Sequence, residues 1–216
     1  MNTGLMQLIS EQAADHGRSR INGVVIGIVT NNSDPGGLGR VKVKFPWLSD
    51  TDESFWARVA APMAGNDRGA YFLPEVDDEV LVAFEHGDVR FPYVIGSLWN
   101  GKDKAPADNS DGKNDVRVIK SRSGHLIKLN DAAGKETVEI VDASGKNSIV
   151  IDTAQDTITI TAGKDMVLAA PQGMLKLAAK QVEITSSADA KLAAAGALDV
   201  TTNATLTLKG ATVNIN

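Results

Sequence analysis

The hydrophobic rhythm of the chain changes twice along its length. Residues 1–20 open with Leu5, Met6, Leu8 and Ile9 on one side of a helical period, ahead of the polar run Asp15-His16-Gly17-Arg18-Ser19-Arg20. That spacing predicts a short amphipathic helix or tether whose apolar side docks on another body, with Leu5, Leu8 and Ile9 making the contact. From Ile21 the pattern is that of strands. Val24-Val25-Ile26-Gly27-Ile28-Val29 is β-branched, Asp34-Pro35-Gly36-Gly37-Leu38-Gly39 is a dense turn signal, and Arg40-Val41-Lys42-Val43-Lys44-Phe45 alternates strictly. Further strands are predicted at Trp56-Ala57-Arg58-Val59-Ala60, at Glu79-Val80-Leu81-Val82-Ala83-Phe84-Glu85 and at Pro92-Tyr93-Val94-Ile95-Gly96-Ser97-Leu98. Five short strands over residues 21–100, with no helical period between them, suit a small barrel of the OB type. Residues 101–115 are polar and carry Gly101, Pro106 and Gly112, which reads as a linker.

Residues 116–216 are dominated by a repeat. Pairs in an apolar–x–apolar pattern stand at Ile127/Leu129, Val138/Ile140, Ile149/Ile151, Ile158/Ile160, Met166/Leu168, Leu175/Leu177, Val182/Ile184, Ala190/Leu192, Leu198/Val200, Leu206/Leu208 and Val213/Ile215. Their first members are spaced by 11, 11, 9, 8, 9, 7, 8, 8, 8 and 7 residues. Each unit is expected to be a three-residue strand with two side chains on one face and usually a polar residue between them. So short a strand cannot bury its apolar face alone. A single-chain parallel solenoid needs roughly 18–25 residues per coil, and eight is about a third of that. The repeat therefore predicts an intertwined homotrimeric triple-stranded β-helix, in which the pairs made wholly of Val, Ile and Leu point to a common axis. Val213, Asn214, Ile215 and Asn216 would form its tip end. A single-chain β-helix or a set of ordinary hairpins is the competing arrangement, and it would need long loops or broad sheet faces. Ala188-Asp189-Ala190-Lys191-Leu192-Ala193-Ala194-Ala195-Gly196-Ala197-Leu198 has local helix propensity, but the repeat runs through it and favours strand.

Composition sharpens this division. The 216 residues are 43% hydrophobic and 23% charged, with no cysteine, which excludes a disordered or disulfide-stapled chain. All ten aromatic residues fall between Phe45 and Trp99, and the 101 residues from Val116 onward have none. The first half can thus build an ordinary globular core, whereas a narrow aliphatic threefold interior has no room for rings. The formal net charge is −5; residues 116–216 carry eleven basic and ten acidic side chains, so the acid excess lies in the aromatic half. That balance weighs against a nucleic-acid binder. No apolar run approaches about eighteen residues, and no basic stretch precedes the first apolar one, so neither a membrane span nor a signal peptide is expected.

The chemistry-bearing residues are sparse. His16, His86 and His125, without cysteine, leave a transition metal short of ligands, and no cofactor is expected. His86-Gly87-Asp88 reads as a turn, and His125 after Gly124 as a packing or polar contact. Asp77-Asp78-Glu79 resembles an acid pair but precedes a strand, which fits a capping or solvated turn. Asp34 to Gly39 is flanked by strands and reads as a hairpin turn rather than a phosphate cradle. No Ser-His-Asp order, nucleotide loop or calcium-loop pattern is present, so the chain is not expected to be an enzyme.

Specific runs also carry a resemblance. Gly39-Arg40-Val41-Lys42-Val43, Phe45-Pro46-Trp47-Leu48, Phe55-Trp56-Ala57-Arg58-Val59-Ala60, Pro62-Met63-Ala64-Gly65, the stretch 69–88 and Pro92-Tyr93-Val94-Ile95-Gly96-Ser97-Leu98-Trp99-Asn100-Gly101 resemble the OB-fold domain of contractile-tail spike proteins. These are the phage baseplate assembly protein V family, the VgrG proteins of type VI secretion and related extracellular injection systems. Ile119-Lys120-Ser121-Arg122-Ser123-Gly124-His125-Leu126-Ile127-Lys128-Leu129-Asn130-Asp131, with Gly134 and Glu136, resembles the start of the same family's triple-stranded β-helix. The resemblance covers about residues 21–216. It implies a homotrimeric spike at the tip of an inner tube, driven through a target envelope when a sheath contracts. It implies a virion or injection particle assembled in the cytoplasm, which meets the target membrane only transiently. Residues 100–130 hold no lysozyme-like insertion, no fused hub domains like those of VgrG are expected, and no His follows His125. A separate hub protein at the barrel side and a PAAR-type tip protein at the C-terminal end are therefore the expected partners, with no nucleic acid. An OB-fold carbohydrate- or nucleic-acid-binding module on a trimeric β-stalk is the alternative.

Overall fold

The computed structural model describes residues 20–48 and 52–214; the expected hub contacts Leu5, Leu8 and Ile9 and the last two residues of the expected tip, Ile215 and Asn216, lie outside them. The chain divides into a first unit ending at Gly163 and a second beginning at Lys164. Among the described residues neither contains α-helix: the first is built of strands joined by turns, with one short 3-10 turn at Glu85–Gly87.

The first unit begins with a five-stranded sheet in the order β2-β1-β6-β7-β3. Its strands are β1 Val24–Asn31, β2 Lys42–Lys44, β3 Arg58–Val59, β6 Glu79–Phe84 and β7 Pro92–Ser97. All five sit where the alternating pattern placed them. β3 runs parallel to β7, and the other pairings are antiparallel. The sheet curls until its outer strands meet: Val41 and Ala57 exchange backbone hydrogen bonds at 3.0 and 2.7 Å. The result is an OB-type barrel. A small hairpin, β4 Ala64–Gly65 and β5 Arg68–Gly69, projects between β3 and β6.

Alternation explains the interior. In β6 every second residue, Val80, Val82 and Phe84, points inward. Val41, Val43 and Phe45 do the same on the neighbouring segment while Arg40, Lys42 and Lys44 face out. The core is six fully buried valines (Val29, Val41, Val43, Val80, Val82, Val94) with Ala57, closed by Phe45 and Phe84, whose rings lie 5.6 Å apart at 57°. The aromatic residues as a group are therefore not the core. Only these two of the ten are buried, because a barrel this narrow is filled by β-branched side chains. Gly27 follows from the same crowding, since a Cβ there would stand 3.3 Å from the Phe45 ring.

The turn at Asp34 is held by its own carboxylate, which accepts the backbone N–H groups of Gly36 at 2.9 Å and Leu38 at 3.0 Å. Arg40 donates through Nε and Nη2, each at 2.8 Å, and these bonds hold the Asp34 carboxyl well below the usual carboxylate range. Asp78 accepts the Glu75 N–H at 2.8 Å, the capping role expected of that acid pair.

Past the barrel, residues 116–161 form a second sheet, an antiparallel meander in the order β12-β11-β10-β9-β8. Its strands are β8 Val116–Lys120, β9 Leu126–Asn130, β10 Thr137–Val141, β11 Ser148–Asp152 and β12 Thr157–Thr161. Each is five residues long rather than three, and each pairs with its sequence neighbour. Hairpins within one chain therefore account for residues 116–161. The reason lies in the connections, where spacings of 11, 11 and 9 leave room for four- to six-residue turns. In one of the two six-residue turns, residues 142–147, Asp142 accepts Ser144 Oγ at 2.8 Å, the Asn147 N–H at 3.1 Å and Asn147 Nδ2 at 2.9 Å, and these bonds, with Asn147 the largest cause, depress its carboxyl strongly. Connections at one end of the meander are tied together: Ala143 N–H donates to His125 Nδ1 at 3.2 Å, and Gly163 N–H, just past β12, to Asn147 Oδ1 at 2.9 Å. His125 thus makes a polar contact.

In the second unit, residues 164–214, the described backbone forms neither helix nor strand, and every residue is exposed. The Ala-rich stretch is accordingly not helical, and the three-residue strands expected of the repeat beyond Lys164 are not formed within the single chain either, since no neighbouring strand is there to pair with them.

Candidate assembly interface

The meander register stacks the repeat into columns. Ile119, Ile127, Ile140, Ile149 and Ile160 face one another across successive strands, and so do Leu129, Val138, Ile151 and Ile158. With a side-chain period of two, both columns share one face. Not one of these nine side chains is buried; their exposures run from 37% to 70%. The opposite face carries Lys128, Glu139, Val150 and Thr159 at the central positions, and Lys128 Nζ lies 3.3 Å from Glu139 Oε1. A soluble chain rarely leaves an aliphatic face of this size in water, and such a face marks an interaction surface.

Of the residues assigned to a common axis, the meander brings together Ile127, Leu129, Val138, Ile140, Ile149, Ile151, Ile158 and Ile160. Leu175, Leu177, Val182, Ile184, Leu198, Val200, Leu206, Leu208 and Val213 lie in the second unit, each between 51% and 84% exposed, and the single chain does not bring them together. Asn214 is exposed as well, while Ile215 is outside the described residues. Burial of these side chains requires surface that one chain does not supply.

The barrel has uncovered apolar surface that the strand pattern did not indicate. Trp47, Phe55, Tyr71, Phe72, Phe91 and Trp99 are all more than half exposed. The β4–β5 hairpin and the Gly37–Gly39 turn frame a groove lined by Leu38, Met63, Tyr71 and Phe72. The signal for these residues was in the sequence: several stand outside the alternating runs, next to Pro and Gly. Three basic residues of the barrel, Arg40, Lys42 and Arg90, are ion-paired. Arg40 and Lys42 lie 5.9 and 5.6 Å from the Trp56 ring, and each is ion-paired, Arg40 with Asp34 and Lys42 with Glu53 at 3.0 Å. Lys42 lowers the Glu53 carboxyl pKa accordingly. Among the described residues no helix is long and apolar enough to cross a membrane.

A curled OB-type sheet joined in one chain to an uncovered aliphatic repeat defines a class, and comparison with known proteins agrees. Residues 25–99 match the family model described as the type VI secretion system/phage-baseplate injector OB domain. The chain is 30% identical over 123 residues to the type VI secretion system spike protein VgrG3 of Vibrio cholerae, covering 55% of this chain and 11% of that protein. It is 31% identical over 153 residues to VgrG5 of Pseudomonas aeruginosa, 66% of this chain and 18% of the relative. It is 36% identical over 113 residues to VgrG1b of the same organism, 47% and 15%. The chain thus spans between about a tenth and a fifth of the length of these curated relatives. Residues 25–99 are thus similar to the injector OB domain, and about half to two thirds of the chain is similar to type VI secretion system spike proteins.

Proposed function

We propose that this chain is the central spike of a contractile injection machine and works as a homotrimer. The observation that carries the reading is the joining of an injector OB domain to nine aliphatic side chains on one sheet face and a further repeat, none covered within the chain. Three copies would bury the meander faces against one another and wind residues 164–216 into a triple-stranded β-helix about a common axis. The domains are then the tether over residues 1–20, the barrel over 21–100, the connection over 101–115 and the spike over 116–216.

The role is mechanical. Interlocked strands transmit axial load because no chain can unwind without the other two, and the ties at His125 and Asn147 stiffen each meander. The uncovered aromatics of the barrel suit a hub protein, and Val213 to Asn216 a PAAR-type tip protein. The assembly forms in the cytoplasm, joins a phage-tail or injection-system baseplate and crosses the target envelope during injection. Internal pairing of Arg40 and Lys42 and the acidic balance of this half count against a nucleic-acid role.

Quantitative mass spectrometry of intact particles from the producing cell tests the reading. The expected result is the chain at three copies per particle, against many copies of sheath and tube subunits. Absence of the chain from particles would overturn it.

A further inference from the structure

Four consecutive repeats of the second unit place a charged residue between their two apolar members, and the signs alternate: Lys176, Glu183, Lys191 and Asp199. The meander shows what this central position does once strands are paired. Lys128 and Glu139 occupy it in adjacent strands, stand in register, and form the 3.3 Å ion pair with both side chains about three-quarters buried. Glu139 also accepts the Thr137 hydroxyl at 2.7 Å. Within the single chain, by contrast, none of the four distal charges has a charged partner among the described residues; Glu183 receives only the Thr185 hydroxyl at 3.4 Å.

We propose that Lys176, Glu183, Lys191 and Asp199 form an ion ladder between strands of neighbouring copies, and that this ladder sets the register of assembly. The inference rests on the trimeric reading above. Aliphatic pairs specify the register weakly, because Leu175/Leu177, Val182/Ile184 and Leu198/Val200 are nearly interchangeable, only Ala190 of Ala190/Leu192 departs in size, and the same face stays buried after a slip of one whole repeat. Charge does distinguish the registers. When consecutive repeats are neighbours, as in the meander, every contact along the ladder is between opposite signs. A slip of one repeat puts Lys176 beside Lys191 and Glu183 beside Asp199, and like charges directly opposite are destabilising.

The test uses the full chain. Glu183→Lys places three like charges in succession, whereas the fourfold inversion K176E/E183K/K191E/D199K keeps the alternation with its sign reversed. Trimer mass and thermal midpoint are measured at low salt and near 1 M salt. The expected result is trimer dissociation raised on the order of tenfold or more by Glu183→Lys at low salt, an effect that shrinks at high salt, and recovery by the inversion. A Glu183→Lys protein that melts as the unaltered chain does, or an inversion that fails as Glu183→Lys fails, overturns the ladder. If the unaltered chain forms no trimer, the trimeric reading itself falls.

Discussion

Replacing Ile140 by Asp should dissolve the trimer and leave the barrel intact. Ile140 sits mid-column on β10, in register with Ile127 and Ile149, and is 48% exposed in the single chain. Full burial of such a side chain contributes about 1.5–3 kcal/mol, so the half still in water has roughly 0.8–1.5 kcal/mol left to gain on assembly. Aspartate forfeits that gain and adds a carboxylate to an apolar interior, at several kcal/mol per ion. With three copies converging, the loss is on the order of 10 kcal/mol per trimer, roughly seven decades in the dissociation constant. Ile140→Ala, which loses only the burial, should cost about 3 kcal/mol per trimer, near a hundredfold. Light scattering coupled to size exclusion at micromolar concentration separates the two: monomer for the aspartate variant, a concentration-dependent mixture for alanine. The barrel core draws no residue from the meander, so the thermal transition followed by tryptophan fluorescence should not move. An Ile140→Asp protein that stays fully trimeric, or one whose barrel unfolds, would refute the reasoning.

Other expectations follow from the barrel and the distal repeat. Val82→Ala, at a fully buried site, should destabilise the barrel by about 2 kcal/mol in urea unfolding without changing oligomeric state. Asp34→Asn should lower barrel stability at neutral pH. Because the folded-state pKa of Asp34 is depressed, its contribution is complete above the ordinary carboxylate value and fades as the pH falls through the folded one. The gap between the two proteins should therefore close in strong acid, and a constant gap from pH 7 to pH 2 would contradict the Arg40 pairing. Deleting residues 198–216 should leave the barrel folded and abolish association with the tip protein in a pull-down; retained binding would place that surface elsewhere.

Much of this architecture was legible because strand alternation is a local property. The five barrel strands follow directly from runs such as Arg40 to Phe45, whose apolar and basic residues part to opposite sides. The β4–β5 hairpin was missed for the converse reason. Its strands are two residues each, with no alternation, and its only signal is the turn-forming run Gly65-Asn66-Asp67, in which Asp67 takes a positive φ. Strand length in the meander was underestimated because only the apolar pair was counted. Leu126, Asn130, Thr137 and Val141 extend the ladder through backbone hydrogen bonds, which need no apolar side chain. Counting rings placed the globular core in the right half but does not reveal which way they point, and only Phe45 and Phe84 of the ten are buried. The apolar columns themselves were visible as a repeat, but that residues 116–161 pair within one chain depended on turn chemistry at Asp142 and Asn147.

The mass of the full chain in solution tests the central claim most directly. Light scattering should give three times the 22.8 kDa of one chain, stable on dilution to nanomolar concentration. A stable, soluble monomer would contradict it, because the nine side chains of the meander face and the repeat beyond Lys164 would then remain in water with nothing to cover them.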